Sequence, residues 1–226
     1  MPRPVMRINL RLGTRPSPLA FKQAAEIQNI FAHVQFQVVP IYTRGDKDRK
    51  TPLSEVEGSD FFTREIDQAL LEGKIDLAVH SSKDLPEVLA KGLSIALETE
   101  SLTPFDALVS RNYLQFNALP AGWRIGVSSK RRKDQIKALR ADLEIIDVRG
   151  NIEERIELIQ KDKIDALIVA HAALIRLGLE SQIAQILPLS IFKPHPKQGS
   201  LSLLTREENW QEVKSILLAQ APAIGS

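Results

Sequence analysis

The 226-residue chain contains no cysteine. Disulfides, thiolate metal sites, a cysteine nucleophile and a cysteine-linked cofactor are therefore excluded for this sequence. Aromatic residues make up only 5%, and the formal charge of +2 is close to neutral, so neither feature predicts a nucleic-acid partner. The four histidines have no metal-ligand spacing, and we expect no metal site.

Long apolar segments are also missing. No uninterrupted apolar run is long enough to span a bilayer, and the first residues, MPRPVMRINLRLG, lack a secretory apolar core. We therefore expect a cytoplasmic protein without membrane contact. The sequence also has neither a Walker motif nor a dinucleotide-binding glycine fingerprint, so nucleotide binding is not predicted.

Apolar strand patterns alternate with helix patterns along almost the whole chain. The predicted strands are MRINLRL, FQVVPIYT, IDLAVHS, LSIALET, DALVS, RIGVSS, LEIIDVRG and IDALIVA, and the predicted helices lie near 18–31, 61–72, 131–140, 151–161 and 207–219. With 43% hydrophobic residues, this alternation predicts an α/β fold whose buried sheets are covered by helices.

A weak internal repeat relates residues 63–81 to residues 152–171. In both segments an acidic helix leads through Lys-Ile-Asp into an apolar strand, and a strand ending in Arg-Gly precedes each (TRGD at 43–46, VRGN at 148–151). The repeat predicts two similar α/β lobes with a boundary near 99–105. Because βα units recur widely, shared supersecondary structure alone would give the same similarity.

Three predicted strand-to-helix junctions place cations beside a helix amino terminus, which already carries partial positive charge. The candidates are Arg15 before a Ser17 cap and Pro18, the run Lys130 to Lys133 with Arg131 and Arg132 after a Ser128 or Ser129 cap, and Arg149 and Arg155 around an Asn151 cap completed by Glu154. In parallel sheets all three junctions would lie at strand carboxyl ends, where α/β folds bind ligands. Clustered arginines favour a ligand with several acidic groups.

Solvated surface arginines would give the same pattern at any one junction, since the helix-terminus effect is only about 0.3–1 kcal/mol. A different ingredient follows the strand in IDLAVHSSKDLP, which ends in Ser81, Lys83 and Asp84. Turn chemistry before Pro86 would explain Asp84 as part of an ordinary capped turn. The alternative is a carboxylate in a basic cleft, able to move a proton or stabilise a cationic intermediate.

The ordered set of motifs GTRPSPLA, YTRGD, AVHSSKDLP, SSKRR, VRGNIEER, ALIRLGL and KQGSLSL resembles the porphobilinogen deaminase (hydroxymethylbilane synthase) family of tetrapyrrole biosynthesis. The resemblance covers almost the whole chain. It implies a transferase that joins four porphobilinogen molecules head to tail, with loss of ammonia, into a linear tetrapyrrole. Because each pyrrole carries an acetate and a propionate, such a product is a polyanion, as the arginines suggest.

The resemblance also implies a fold like the type II periplasmic binding proteins, with two α/β lobes of mixed sheets around a central cleft. We expect the first lobe to contain residues 1–100 plus about 199–226, and the second lobe residues 101–198.

By the same resemblance, Asp84 corresponds to the catalytic carboxylate, assisted by Lys83, that helps ammonia leave and stabilises the positive pyrrole nitrogen. Residues matching those that hold the acidic side chains of a dipyrromethane cofactor are Ser81, Lys83, Ser129, Arg131, Arg132 and Arg155. Residues matching substrate-side positions are Arg15, Ser17, Arg149 and Arg176, and Gln23 and Gln198 lie in matching segments.

Members of this family continue into a third domain whose cysteine anchors the dipyrromethane, and we expect that domain to be absent here. The cofactor would then be held non-covalently or be absent, and the protein would be a monomer or take the third domain from a separate chain. An alternative is a binding module for pyrrole carboxylates that has lost turnover. Retention of Asp84 favours catalysis, because a carboxylate costs affinity for anions.

Overall fold

The computed structural model describes residues 9–48, 50–56 and 58–219, and the strands in this part of the chain form two five-stranded sheets. The strands are β1 (Asn9–Thr14), β2 (Gln35–Pro40), β3 (Leu77–Ser81), β4 (Leu93–Glu98), β5 (Asp106–Ser110), β6 (Arg124–Val127), β7 (Glu144–Asp147), β8 (Ala166–Ala170), β9 (Gln185–Leu187) and β10 (Leu201–Arg206).

The helices lie between these strands. They are α1 (Pro18–Ile30), α2 (Arg44–Lys47), α3 (Leu53–Val56), α4 (Arg64–Leu71), α5 (Lys130–Leu139), α6 (Ile152–Gln160), α7 (His171–Leu177) and α8 (Trp210–Leu218). The predicted α/β fold is confirmed, and the predicted strands and long helices occur within a few residues of their expected bounds.

The two sheets have the same topology. The first has the order β2-β1-β3-β10-β4 and the second the order β7-β6-β8-β5-β9. In each, three strands run parallel, and a fourth strand pairs antiparallel with the third of them. We call the first sheet with its helices the first lobe and the second sheet with its helices the second lobe. Residues 1–8 and 220–226 of the predicted first lobe lie outside the described residues.

Each sheet is covered on both faces by apolar side chains. In the first lobe, one core joins β1 and β3 to α1 and α8, and a second joins the other face to α4. In the second lobe, cores around Ile125 and Ile136 and around Val169 and Leu174 play the same parts. Because helices cover both faces of each sheet, a ligand can approach the sheets at the ends of their strands.

Two chain segments cross between the lobes side by side, residues 99–105 and 193–200. The amide of Leu102 donates to the carbonyl oxygen of Gly199 (3.4 Å), and Ser101 Oγ donates to the Gln198 carbonyl (2.7 Å). Gly199 has a φ of +91°, and a Cβ there would lie 2.4 Å from the Thr103 carbonyl oxygen. Glycine is therefore required for the two crossing segments to pack backbone against backbone.

The repeated Lys-Ile-Asp motif has the same structural role in both lobes. Asp76 accepts hydrogen bonds from the backbone N–H and the guanidinium of Arg11 on β1 (2.7–3.0 Å). Asp165 does the same for Arg124 on β6 (2.9–3.0 Å). Asp76, just before β3, thus ties that strand to β1, and Asp165, just before β8, ties that strand to β6. Both contacts lie at the ends of the sheets opposite the carboxyl ends of the parallel strands.

Candidate functional site

A cleft of about 410 Å³ lies at the carboxyl ends of the parallel strands of both lobes. The cavity therefore lies at the carboxyl ends of the parallel strands, where the sequence predicted that a ligand would bind. Among the residues that the structure describes, the cleft is lined by the segments that follow β1, β2, β3, β6, β7 and β8 and by residues of the segment that precedes β10. Of the residues predicted from the sequence, those that line it are Arg15, Ser17, Gln23, Ser81, Lys83, Asp84, Ser129, Arg131, Arg132, Arg149, Arg155 and Arg176.

The helices that follow β1 and β7 begin as the sequence predicts. Ser17 caps α1, accepting a hydrogen bond from the Ala20 amide (3.2 Å), and Pro18 is the first helical residue. Asn151 caps α6 through the Glu154 amide (2.8 Å), and the Glu154 carboxylate accepts from the Asn151 amide (2.9 Å). These caps fix where the chain turns from strand to helix, and so place Arg15 and Arg149 at the cleft.

Arg15 is held by two side chains of the first lobe. Its Nε donates to Asp46 Oδ1 (3.1 Å), and its guanidinium lies 4.1 Å from the centre of the Phe62 ring. Burial alone would raise the pKa of the Asp46 carboxyl, but the hydrogen bonds and charge of Arg15 outweigh it and hold that pKa below its ordinary value. Asp46 therefore remains a carboxylate that orients Arg15 toward the cleft.

The four cations at the start of α5 all have acidic partners. Lys130 pairs with Asp134 (3.0 Å), Arg131 and Arg132 with Asp106 (3.5 and 2.7 Å), and Lys133 with Asp147 (2.5 Å). The sequence pattern indicated a run of cations awaiting an anion, whereas much of that charge is already compensated within the chain. Of the four, Arg131 and Arg132 line the cleft.

Arg155 lies where several cations converge. Burial, followed by the charges of Arg132, Arg149 and Arg15, lowers the pKa of Arg155 to about 10, although Asp84 opposes the shift. Its Nε donates to the Gly150 carbonyl (2.8 Å). Because like charges repel in this partly buried position, a bound anion would relieve the repulsion.

Lys83 belongs to the first lobe but bonds to the segment that returns from the second. Its Nζ donates to Gln198 Oε1 (3.1 Å). Burial and the charge of Arg132 lower the pKa of Lys83 to about 8. Gln198 does not line the cleft; it is 1% exposed and reaches the site through this bond.

Asp84 is exposed and follows β3 in the short 3-10 turn Ser82–Asp84. Asp84 lines the cleft next to Lys83. The sequence allowed two interpretations of Asp84, a turn residue or a carboxylate in a basic cleft, and the side chain has both positions at once. Ser81, at the end of β3, accepts a hydrogen bond from Gln23 Nε2 (2.8 Å). This bond joins α1 to the end of the strand that carries Asp84.

Arg176 is paired with an acidic side chain of the other lobe. It donates to Glu26 through Nε and Nη2 (2.7 and 3.0 Å) and to the Gly199 carbonyl (2.9 Å). Since Glu26 lies on α1 and Arg176 on α7, this pair joins the two lobes beside the crossing segments.

Among the residues that contact the predicted cations, Asp46, Phe62 and Asp106 were not predicted from the sequence. Asp46 lies in the YTRGD motif, so its position was marked although its role was not. Asp106 begins the strand pattern DALVS, and a charged first residue of a buried strand is the signal that could have identified it.

The described part of the chain holds no group of three or more His, Asp or Glu side chains placed to bind a metal ion. No helix among the described residues is long and apolar enough to cross a membrane.

Residues 10–214 match the family model described as porphobilinogen deaminase, dipyromethane cofactor binding domain. The chain is 40% identical over 212 residues to the porphobilinogen deaminase of Geotalea uraniireducens (strain Rf4), covering 92% of this chain and 66% of that protein. It is 41% identical over 204 residues to that of Syntrophus aciditrophicus (strain SB), covering 88% and 67%. The chain therefore spans about two thirds of the length of these curated relatives.

Among solved structures, the chain is similar to a nutrient binding protein from Burkholderia cenocepacia (TM-score 0.53, 12% identity, 93% of this chain and 90% of that one). It is also similar to a periplasmic substrate-binding protein of an ABC transporter from Coxiella burnetii (TM-score 0.53, 13% identity, 94% and 93%). At such identities the likeness concerns the fold alone. The expected fold, like that of type II periplasmic binding proteins, is confirmed.

Proposed function

The chain belongs to the porphobilinogen deaminase family, and from that membership we propose that its cleft condenses porphobilinogen as a hydroxymethylbilane synthase does. In this proposal the protein is a transferase of tetrapyrrole biosynthesis. It joins porphobilinogen units head to tail, releasing ammonia at each step, and the product is a linear tetrapyrrole.

The observation that carries the proposal is the position of Asp84. It is an exposed carboxylate at a cleft that is otherwise rich in arginine. A cleft that only bound carboxylates would lose affinity by placing a negative side chain next to its ligand. A substrate that is negative at its side chains and becomes positive at its ring nitrogen as ammonia departs needs both kinds of charge. Asp84 would stabilise that positive charge and assist the departure of ammonia.

The arginines would bind the acetate and propionate groups. Arg155 supports this role most directly, because its neighbours Arg132, Arg149 and Arg15 already repel it. A ligand carboxylate between these side chains would form charge-assisted hydrogen bonds, the stronger class of such bonds. Arg15 and Arg149 would act on the substrate side, as the family resemblance implies.

The residues also fit a dipyrromethane. The Arg132 side chain lines the cleft, and its buried Nε has no hydrogen-bond partner among the described residues. With Lys83, Arg131 and Arg155 it would hold the acidic side chains of the cofactor. When bound, a dipyrromethane supplies the pyrrole end to which the first substrate ring is joined. This sequence has no cysteine for a covalent link, so these contacts would provide the affinity.

Incubation of the purified chain with porphobilinogen, followed by the absorbance of oxidised porphyrin, tests the proposal. We expect product from the wild-type chain, and a loss of about 100-fold or more in Asp84→Asn with ligand binding retained, since a positioned proton-transfer group contributes about that much. Glu87→Gln, which changes an exposed neighbour outside the cleft, is the matched control and should remain active.

Two results would contradict the proposal. Wild-type turnover in Asp84→Asn would remove the proposed role of that carboxylate. A wild-type chain that binds porphobilinogen without forming product would instead support a binding module for pyrrole carboxylates.

A further inference from the structure

Asp106 does not line the cleft, yet it contacts the cations that do. It is 1% exposed, and it is the first residue of β5, directly after the first crossing segment. Its carboxylate accepts from Arg132 Nη2 (2.7 Å) and lies 3.5 Å from the guanidinium of Arg131. A buried carboxylate is costly unless it is paired, so this contact fixes the positions of both partners.

Gln198 extends the contact from Asp106 to the first lobe. Its Nε2 donates to Asp106 Oδ1 (2.8 Å) and to the carbonyl oxygens of Pro104 and Phe105 (2.8 and 3.0 Å). With its N–H donors committed to these acceptors, Oε1 is left to accept from Lys83 (3.1 Å). The amide thus joins Lys83 to Asp106 at the place where the two crossing segments meet.

The cations around position 106 favour an acidic side chain there. Lys83 faces four charged groups: Arg131 and Arg132 lower its pKa, and Asp84 and Asp106 raise it. Asp84 is exposed, whereas Asp106 is buried among the cations. Burial alone would raise the pKa of the Asp106 carboxyl, but Arg132 and Lys83 outweigh it and lower that pKa, so the group stays ionised at neutral pH.

We propose that Asp106 is a positioning residue for this site: the buried counter-ion that, directly and through Gln198, sets the geometry and charge of Arg132 and Lys83 across the junction of the lobes. This inference rests on the proposed function for the identity of the ligand. It adds a residue that does not touch substrate and that links the crossing segments to the anion site.

A titration of Lys83 without ligand tests the inference separately from the proposed function. In protein labelled with ¹³C-lysine, with the resonance assigned through Lys83→Arg, we expect Lys83 to titrate near pH 8 in the wild type. In Asp106→Asn it should titrate at lower pH, because the ammonium form has lost a negative neighbour. Asp165→Asn, which breaks an Arg–Asp contact at the opposite edge of the same lobe, should leave that titration unchanged.

Calorimetry with porphobilinogen from pH 6 to 9 gives the second measurement. Wild-type affinity should fall as pH rises through about 8, because neutral Lys83 no longer attracts carboxylates. Asp106→Asn should bind about tenfold more weakly at neutral pH, the loss expected for a misplaced charge-assisted contact, and the fall should begin at lower pH.

Several outcomes would overturn the inference. One is an unchanged Lys83 titration and affinity in Asp106→Asn, and another is the same change in Asp165→Asn. If Asp106→Asn does not fold, Gln198→Met removes the link to Lys83 and keeps the carboxylate, and wild-type affinity and pH dependence in that variant would overturn the inference as well. A wild-type chain that shows the expected Lys83 titrations but binds no porphobilinogen would contradict the proposed function alone.

Discussion

The two lobes share one strand order but contribute different sets of charges to the cleft. In each lobe three parallel strands are completed by an antiparallel strand that follows a crossing segment, β10 in the first lobe and β5 in the second. The first lobe brings the exposed carboxylate of Asp84 together with the cations Arg15 and Lys83, and the second brings the arginines Arg131, Arg132, Arg149 and Arg155. A shared scaffold thus leaves the chemistry to the segments that follow the strands.

The segments after the third strand differ most. After β3 the chain makes the short turn Ser82–Asp84, which leaves Asp84 exposed at the cleft. After β8 it enters α7 directly, and the Arg176 side chain in its last turn is 6% exposed and paired with Glu26. The turn presents a carboxylate to the cleft, whereas the helix holds the two lobes together through its ion pair.

The segments after the second strand differ in the arginine that the repeat aligns. Arg149 follows β7 and lines the cleft, whereas Arg44 follows β2 and lines a smaller cavity of about 190 Å³. Similarity in sequence therefore identifies equivalent positions in the two lobes, and only their surroundings distinguish a ligand contact from a surface residue.

The largest expected effect on binding comes from the cation cluster of the second lobe. Arg155→Ala should weaken porphobilinogen binding on the order of 100-fold, as loss of a charge-assisted hydrogen bond does. Lys161→Ala, at the other end of the same helix and paired with Glu157, is the control and should bind normally. Isothermal calorimetry makes the comparison, and equal affinities in the two variants would mean that the cluster does not hold the ligand.

A smaller effect on porphobilinogen binding should distinguish Arg149 from Arg44, the two arginines that the repeat aligns. Arg149→Ala should reduce affinity roughly fivefold, because a half-buried charge is partly screened, and Arg44→Ala should have no effect. Measured under identical salt, the two affinities should differ. If they do not, the asymmetry between the lobes does not extend to these segments.

The smallest effect is one that the lobes should share. Asp76→Asn and Asp165→Asn each break an aspartate–arginine contact at the edge away from the cleft. Each should lower the midpoint of thermal unfolding by about 3 °C, a shift typical of a modest loss of stability in a protein of this size. Calorimetric scans measure the shifts, and a change in porphobilinogen affinity in either variant would contradict a purely structural role.

The features that depend on residues close together in the chain were predicted from local sequence patterns. Serine and asparagine caps, the alternation of strands and helices, and the end of the sheets that carries the cleft followed from short stretches of sequence. The helix α7 was not predicted, because IDALIVAHAALIRL is apolar throughout and its periodicity does not separate strand from helix. The strand β10 was missed because it is fixed by pairing with β3 and β4, far away in the chain.

The partners of the site residues could not be predicted either, because these partners are also distant in the sequence. Asp106 and Arg132 are 26 residues apart, and Lys83 and Gln198 are 115 apart. Family motifs indicated which side chains would face the cleft, but contacts between distant residues decide which cations are compensated. The pairing of the whole run at 130–133 with acids shows that a local run of cations does not by itself indicate free positive charge.

The late position of β10 in the chain has a consequence for synthesis on the ribosome. The place of β10 lies between β3 and β4, but β4 ends at Glu98 and β10 begins only at Leu201. The nascent first lobe must therefore wait with two unpaired strand edges while the second lobe is translated. Unpaired strand edges can pair with other chains, so the nascent chain is most exposed to such pairing during this interval.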